Sequence, residues 1–462
     1  MVKKIYRKLK QIYMVGIGGT GMSGIAEVLL NLGYKVTGSD LQTNDATLRL
    51  ARLGAKIYKG HKANRVGGAD VVVISSAVGE DNIEVREARQ LQIPVIPRAE
   101  MLAELMRMKY GVAVAGAHGK TSTTSMIAQV LDRGGYDPTV IVGGRFNTIG
   151  SHGKLGQGDF IVAEADESDR SFLFLSPFIA VLTNIDEEHL DQYATVDEIK
   201  KTFANFANKV PFYCPVILCL DDANLQSLIP LVDRRIITYG FSSRADIFAR
   251  GHRFDRFESR STLFSKGKKI GDLKLQVPGK HNILNAMAAV AVGLDLDIPA
   301  KTILKALQDY SGTGRRFELK KEINGLMVIE DYGHHPTEIR ATLDAAKRGW
   351  ARRVVAVFQP HRYTRLSLLM KSFATAFNQA DVLVATEVYP AGEQPIPGAT
   401  GKALVEEIKL FGHKHVYFEP NMKKIPSLLT RIIQPQDMIL VLGAGNIYKI
   451  IPDIIARLEE KS

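Results

Sequence analysis

Gly116-Ala117-His118-Gly119-Lys120-Thr121-Ser122 follows a short apolar run at 111–115 and opens a stretch rich in Ser, Thr and Ala at 122–131. Strand, glycine turn and helix in that order predict a phosphate loop. In such a loop backbone N–H groups and a lysine hold the β- and γ-phosphates, and a Ser or Thr hydroxyl holds Mg²⁺. Lys120 and Thr121 are the natural holders. The full GxxxxGK[ST] spacing needs glycine at 114, where this chain has Val114. The match is therefore to the shorter GxxGKT, and a bare glycine turn at a helix start is the competing account.

A second glycine loop lies upstream. Gly16-Ile17-Gly18-Gly19-Thr20-Gly21 follows a predicted strand at 12–15 and precedes a predicted helix at 23–32. That is the context in which glycines let a backbone approach a pyrophosphate at a helix N-terminus. Asp40 ends the next strand, where a carboxylate can bind a ribose hydroxyl. Taken alone, Gly18, Gly19, Thr20, Gly21 and Asp40 fit a dinucleotide, a UDP-sugar or an unliganded tight turn.

Downstream of the phosphate loop, two acidic blocks follow predicted strands. Glu164-Ala165-Asp166-Glu167-Ser168-Asp169 comes after 160–163, and Asp186-Glu187-Glu188-His189-Leu190-Asp191 after 179–183. The C-terminal ends of parallel strands are where such sheets place their ligand chemistry. Glu164 suits Mg²⁺, which prefers oxygen donors, and His189 among four acids suits a second divalent ion; solvated helix starts are the plainer alternative. His281 and Asn285 are four apart and share one face of a predicted helix at 282–294. An Asn amide can read an adenine edge, whereas Asn282 reads equally well as an N-cap.

Arg315 and Arg316 follow a glycine junction at 311–314, from which a guanidinium could reach a γ-phosphate on domain closure. Beyond it, Asp331-Tyr332-Gly333-His334-His335 and His361-Arg362-Tyr363-Thr364-Arg365 follow the predicted strands 327–330 and 354–358. Rings and guanidiniums at two strand ends, expected to be adjacent, suit a small zwitterion. Arg362 and Arg365 would take its carboxylate, and Tyr332 and His334 its amine side. Gly443-Ala444-Gly445-Asn446 reads as a turn.

The chain has 462 residues, too many for one core. Strand–helix alternation restarts twice, predicting an α/β protein of three domains at 1–107, 108–313 and 314–462, with a small antiparallel insertion between 241 and 277. Parallel sheets covered on both faces are expected. The net charge is +11, spread along the chain apart from a cluster at 3–10. Such spreading favours phosphorylated small molecules over nucleic acid, whose binders concentrate charge on a stripe. Two cysteines, no leader-like segment and no long apolar run predict a soluble cytoplasmic protein without membrane or nucleic-acid partners.

Taken together, GIGGTGMSGIA, GAHGKTST, EADESD, TNIDEEHLD, PGKHNILNA, GRRFE, DYGHHPTEI, QPHRYTR and GAGNI resemble, in this order, the Mur ligases, the ATP-dependent amide-forming enzymes of peptidoglycan assembly. The resemblance spans nearly the whole chain. It implies a Rossmann-like UDP-binding domain, a P-loop-type central ATPase domain and a Rossmann-like C-terminal domain for the amino acid. It further implies ATP and Mg²⁺ as cofactors and UDP-N-acetylmuramate and L-alanine as substrates. Carried over by motif, Lys120, His189 and Arg315 are catalytic, and Thr121, Glu164 and His189 hold the metal. Gly116 to Ser122 (Gly116, Ala117, His118, Gly119, Lys120, Thr121, Ser122) bind ATP with His281, Asn282 and Asn285. A sister family joins a whole tripeptide to the same UDP-sugar and is the nearest alternative. A dehydrogenase would leave GAHGKT unexplained, and a UDP-sugar sensor would not need Lys120 and Thr121. Monomer and homodimer both remain open.

Overall fold

A computed structural model describes residues 9–146, 151–188, 192–193 and 195–460, with backbone alone for 144–146 and 151–152. His189 and most of the basic cluster at 3–10 lie outside the described residues.

Three sheets account for the strands. The first has five parallel strands in the order Lys56–Lys59, Lys35–Asp40, Gln11–Val15, Val71–Ile74, Val95–Pro97, five of the six positions of the Rossmann order. Its register sets Val15 against both Ser39 and Ile74. Gly16, Asp40 and Ser75 consequently emerge at one sheet edge.

The second sheet has ten strands. Its parallel centre runs Pro215–Cys219, Ile179–Leu182, Tyr110–Ala115, Phe160–Glu164, Thr139–Phe146. Ala115 pairs with Leu182, and Val114 with Glu164, so the phosphate loop, Thr183 and the first acidic block leave the sheet side by side. The predicted insertion is three strands, Ile247–Asp255, Glu258–Ser265 and Lys268–Leu275, joined by two-residue turns that only antiparallel neighbours permit. Phe248 and Phe264 stack there at 4.9 Å.

The third sheet runs Glu318–Ile323, Leu326–Asp331, Met438–Leu442, Val354–Phe358, Val382–Ala385, Val416–Phe418; the first strand is antiparallel and the rest parallel. Successive residues of one strand alternate between two cores. Val355 and Val357 face a cluster with Ile439 and Val441, whereas Ala356 and Phe358 face one with Leu440 and Leu442. Both faces are buried, which is why these strands read as unbroken apolar runs.

One expectation fails here. The strands carrying Tyr332 and Arg362 are not adjacent, because Met438–Leu442 lies between them. The register aligns Asp331, Leu442 and Phe358, so the turn at 443–446 occupies the middle of that edge. The chain forms two compact units, one of residues 1–250, 262–272 and 284–310 and one of 251–261, 273–283 and 311–462. Among the described residues no helix is long and apolar enough to cross a membrane.

Candidate functional site

In the first loop, Gly16 adopts φ +76°, and Gly16 N and Ile17 N both donate to Ser39 O, at 2.8 and 3.1 Å. The helix begins at Thr20, three residues earlier than predicted, with Gly19 as its N-cap. Asp40 is already engaged: Gly18 N donates to its Oδ2 at 2.8 Å and Gln42 N to its Oδ1 at 3.1 Å. The carboxylate expected at a ribose therefore also shapes the loop.

Gly21 exposes a residue that motif reading missed. A Cβ there would stand 2.6 Å from Arg98 Nη1. Arg98 opens helix Arg98–Arg107, lies over the loop helix and pairs with Asp166 Oδ2 at 3.0 Å. No motif marks it; Gly21, the last glycine of the loop, was the only trace.

In the phosphate loop, Gly116 (φ +141°) and Gly119 (φ +80°) are left-handed, and the helix starts at Lys120. The strand end Thr183-Asn184 clamps it. Thr183 Oγ1 donates to His118 O (2.7 Å), and Asn184 Oδ1 accepts from His118 N (2.8 Å). His118 Nε2 lies 2.9 Å from Asp186 Oδ2. Asn285 approaches from its helix, its Oδ1 2.7 Å from where a Cβ on Gly119 would stand. Thr121 follows in the first helical turn, and Ser122 is buried.

Lys120 is half-buried, with Nζ donating to Gly116 O (2.6 Å), Ala117 O (3.3 Å) and Glu167 Oε1 (2.8 Å). Burial alone would lower its pKa, but the Glu167 and Asp166 carboxylates more than reverse this and hold it well above the usual lysine value. Glu167 is pushed up to about 7, by burial first and by Asp166, against the pull of Lys120. The pair therefore breaks by proton uptake at Glu167, not by proton loss at Lys120.

A stability prediction follows from that sign. The folded pKa of Glu167 lies above its ordinary 4.5, so the neutral carboxyl favours the fold. That contribution is complete below about pH 4.5 and is lost as pH rises through about 7. Glu167→Gln, which cannot ionise, should flatten the decline of Tm across this window. Thermal unfolding at fixed ionic strength measures it, and parallel curves for the two proteins would exclude Glu167 as the titrating group.

Both glycine loops open on one cavity of about 250 Å³, in which Gly19, Gly21, Arg98, Lys120, Glu164 and Asp166 all take part. Ser75 and Ser76 also line it and were not foreseen. Glu164 Oε1 accepts from Gly143 N at 2.6 Å.

Two helix-start expectations change. The helix Lys280–Asp295 begins two residues early, so Asn282 lies inside its first turn and is not its N-cap. Its Nδ2 donates to Pro278 O at 2.7 Å. His281 is lowered to about 4, by burial first and then by Arg316, and is a neutral ring.

In the second unit, Arg315 (φ +61°) is fixed rather than free on a hinge. Its Nε donates to Glu330 Oε1 (2.6 Å) and its Nη2 to Gly443 O (3.0 Å), and Tyr332 and Tyr448 flank its guanidinium at 4.8 and 4.5 Å. The intervening strand does not separate the predicted groups. Tyr332, His334, His361 and Tyr389 form a chain of rings at successive centroid distances of 5.4, 5.6 and 5.6 Å. Arg365 Nη1 donates to His361 O at 3.2 Å. Burial, then His334, Arg365 and Arg362, lower His361 to about 3. Arg362 caps the following helix at φ +67°, its Nε 3.9 Å from Glu393 Oε1. Tyr389 and Glu393 come from a distant loop and carried no motif. The turn at 443–446 is structural glue: Gln359 Nε2 donates to Asn446 Oδ1 at 3.0 Å, and a Cβ on Gly445 would meet Gln359 Oε1 at 2.5 Å.

Three family models match in order: "Mur ligase family, catalytic domain" over residues 11–110, "Mur ligase middle domain" over 114–293 and "Mur ligase, glutamate ligase domain" over 315–445. A UDP-N-acetylmuramate–L-alanine ligase from Geotalea daltonii is 55% identical over 456 residues, covering 99% of this chain and 100% of its own. One from Pelobacter propionicus is 56% identical, with 99% and 100% covered. Among solved structures, the UDP-N-acetylmuramate–alanine ligase MurC of Thermotoga maritima superposes with a TM-score of 0.84 at 30% identity, covering 98% of this chain and 100% of that one. A murein peptide ligase from Psychrobacter arcticus shares the fold, with a TM-score of 0.72 at 24% identity and 97% and 98% covered. With three family domains in sequence and relatives more than half identical along nearly its full length, this chain belongs to the Mur ligase family.

Proposed function

We propose that the chain is an ATP-dependent ligase that joins L-alanine to the carboxylate of UDP-N-acetylmuramate, releasing ADP and phosphate, in the cytoplasmic assembly of peptidoglycan. The observation that carries this reading is the cavity shared by the first glycine loop and Lys120. A diphosphate on the former would direct the rest of a UDP-sugar toward the latter. The more-than-half identity to alanine ligases supports the choice of amino acid.

The residues divide by chemistry. Gly18, Gly19, Thr20 and Gly21 offer backbone donors and a helix N-terminus to the diphosphate, with Asp40 at the ribose and Arg98 adding positive charge. In residues 108–313, Gly116 to Ser122 and Asn285 receive ATP, with His281 and Asn282 at the start of the same helix. Thr121 and Glu164 are oxygen donors of the kind Mg²⁺ prefers, and His189 would be their third partner. The bound ion would neutralise phosphate charge. In residues 314–462, Arg362 and Arg365 take the alanine carboxylate and Tyr332 and His334 its amine side. Arg315, paired with Glu330, is the further catalytic residue of this reading.

A carboxylate is a poor acyl donor, so it must first be activated. A muramate carboxylate oxygen attacks the γ-phosphorus, and the bond from phosphorus to the ADP oxygen breaks. Lys120 faces the charge that migrates in this step. The alanine ammonium first gives up a proton to water, and its free amine attacks the acyl carbon; the tetrahedral intermediate loses a second proton from that nitrogen and collapses as the bond to phosphate breaks. Positioning and charge neutralisation carry most of the rate.

Phosphate release from ATP tests the whole reading. With UDP-N-acetylmuramate present, L-alanine should support turnover well above glycine, L-serine or the tripeptide L-Ala-γ-D-Glu-meso-diaminopimelate. Turnover with the tripeptide alone would replace this reading with a tripeptide ligase.

A further inference from the structure

The first sheet holds a polar cluster that none of the motifs marked. Glu84, in the first turn of helix Ile83–Gln90, is 0% exposed, yet four groups converge on its carboxylate. Tyr13 Oη donates to Oε1 at 2.8 Å, Lys62 N to Oε1 at 3.0 Å and Ser39 Oγ to Oε2 at 2.5 Å. His61 Nδ1 lies 3.0 Å from Oε2 and 2.9 Å from Ser39 Oγ. The Ser39 hydrogen is committed to Glu84, so the hydrogen on the histidine side sits on Nδ1. This fixes the ring's tautomer and orientation.

A buried carboxylate is costly to desolvate, and an apolar set of the same volume often serves stability as well. Its position gives it another use. Ser39 is held through its side chain by Glu84, while its carbonyl holds Gly16 N and Ile17 N of the first glycine loop. The next residue, Asp40, receives Gly18 N. Gly60 N donates to Asp40 O at 2.7 Å, which brings His61 to the same sheet edge.

We infer that Glu84 is a positioning residue for the UDP-sugar: through Ser39 it sets the placement of the first glycine loop and Asp40, and through His61 it fixes an imidazole beside them. The inference rests on the reading that this loop takes the UDP-sugar. Glu84→Gln keeps the volume but turns one acceptor into a donor facing Ser39 and His61. In the full chain, KM for UDP-N-acetylmuramate should rise about tenfold to a hundredfold, the range for losing a hydrogen bond to a charged group. kcat and the KM values for ATP and L-alanine should stay within about twofold. Ser39→Ala, which leaves the carboxylate its other partners, should move the same KM in the same direction. Tyr13→Phe removes a bond to Glu84 away from the strand end, and should lower the thermal midpoint without moving any KM.

If Glu84→Gln and Ser39→Ala behave like Tyr13→Phe, or raise all three KM values together, the cluster is structural and the inference falls. Should Glu84→Gln not fold, Ser39→Ala decides alone. Asp40→Ala separates the two levels. An unchanged KM for the UDP-sugar there overturns the site reading itself. A raised KM there, with Glu84→Gln and Ser39→Ala unaffected, overturns only the positioning role.

Discussion

Lys120→Ala is expected to lower phosphate release by roughly a thousandfold, the scale for removing a preorganised charge donor from a developing transition state. The lysine is half-buried, its ammonium is kept charged by Glu167 and Asp166, and two loop carbonyls aim it along the Gly116–Ala117 turn. Such a group needs no reorganisation when charge moves from the γ-phosphate. Removing it also leaves Glu167 buried without its cation. The variant therefore tests two things at once, and Lys120→Met separates them: it restores most of the volume but none of the charge. Both variants should lose activity alike, while Met retains more of the thermal midpoint. Near-normal phosphate release by either would take Lys120 out of the mechanism.

What the sequence disclosed follows from what is local. A glycine turn between an apolar run and a helix is written in consecutive residues, and both loops stand where they were expected. Helical spacing likewise put His281 and Asn285 on one face, but that Asn285 lies against Gly119 is shown only by the fold. Strand order is not local. Nothing in 327–358 announces that Met438–Leu442 will be inserted between those strands, so the two C-terminal motifs were expected to be neighbours. They still meet, because long rings span the gap: His334 and His361 lie 5.6 Å apart. Arg98 was missed for a related reason. Its partners, Gly21 and Asp166, lie far from it in sequence on either side, and an arginine at a helix start has many plainer uses. Glu84 was hidden further, since a glutamate in a helix's first turn ordinarily answers to the helix dipole. Only the fold shows that it points inward to Ser39 and His61.

The second large effect is expected at Gly116, and it is steric rather than electrostatic. Gly116→Ala should cost activity about a hundredfold or more and lower stability by a few kcal/mol, combining backbone strain of about 1–3 kcal/mol with a comparable overpacking term. Its φ of +141° is one that L side chains rarely adopt, and a Cβ there would stand 2.1 Å from Thr183 Oγ1 and 3.0 Å from Asn184 N and O. The neighbours cannot easily yield. Thr183 Oγ1 is bonded to His118 O, Asn184 Oδ1 to His118 N, and Ala117 N to Asn184 O, so pushing the strand end away drags the whole loop with it. Displacement should misplace Lys120, because Gly116 O is its shortest contact, at 2.6 Å. Adding Thr183→Ala removes the closest clash but leaves the φ and Asn184, so the double variant should regain part of the stability and little of the activity. Full recovery on deleting the hydroxyl would mean that crowding alone requires this glycine. No recovery of stability would place the whole cost in the backbone.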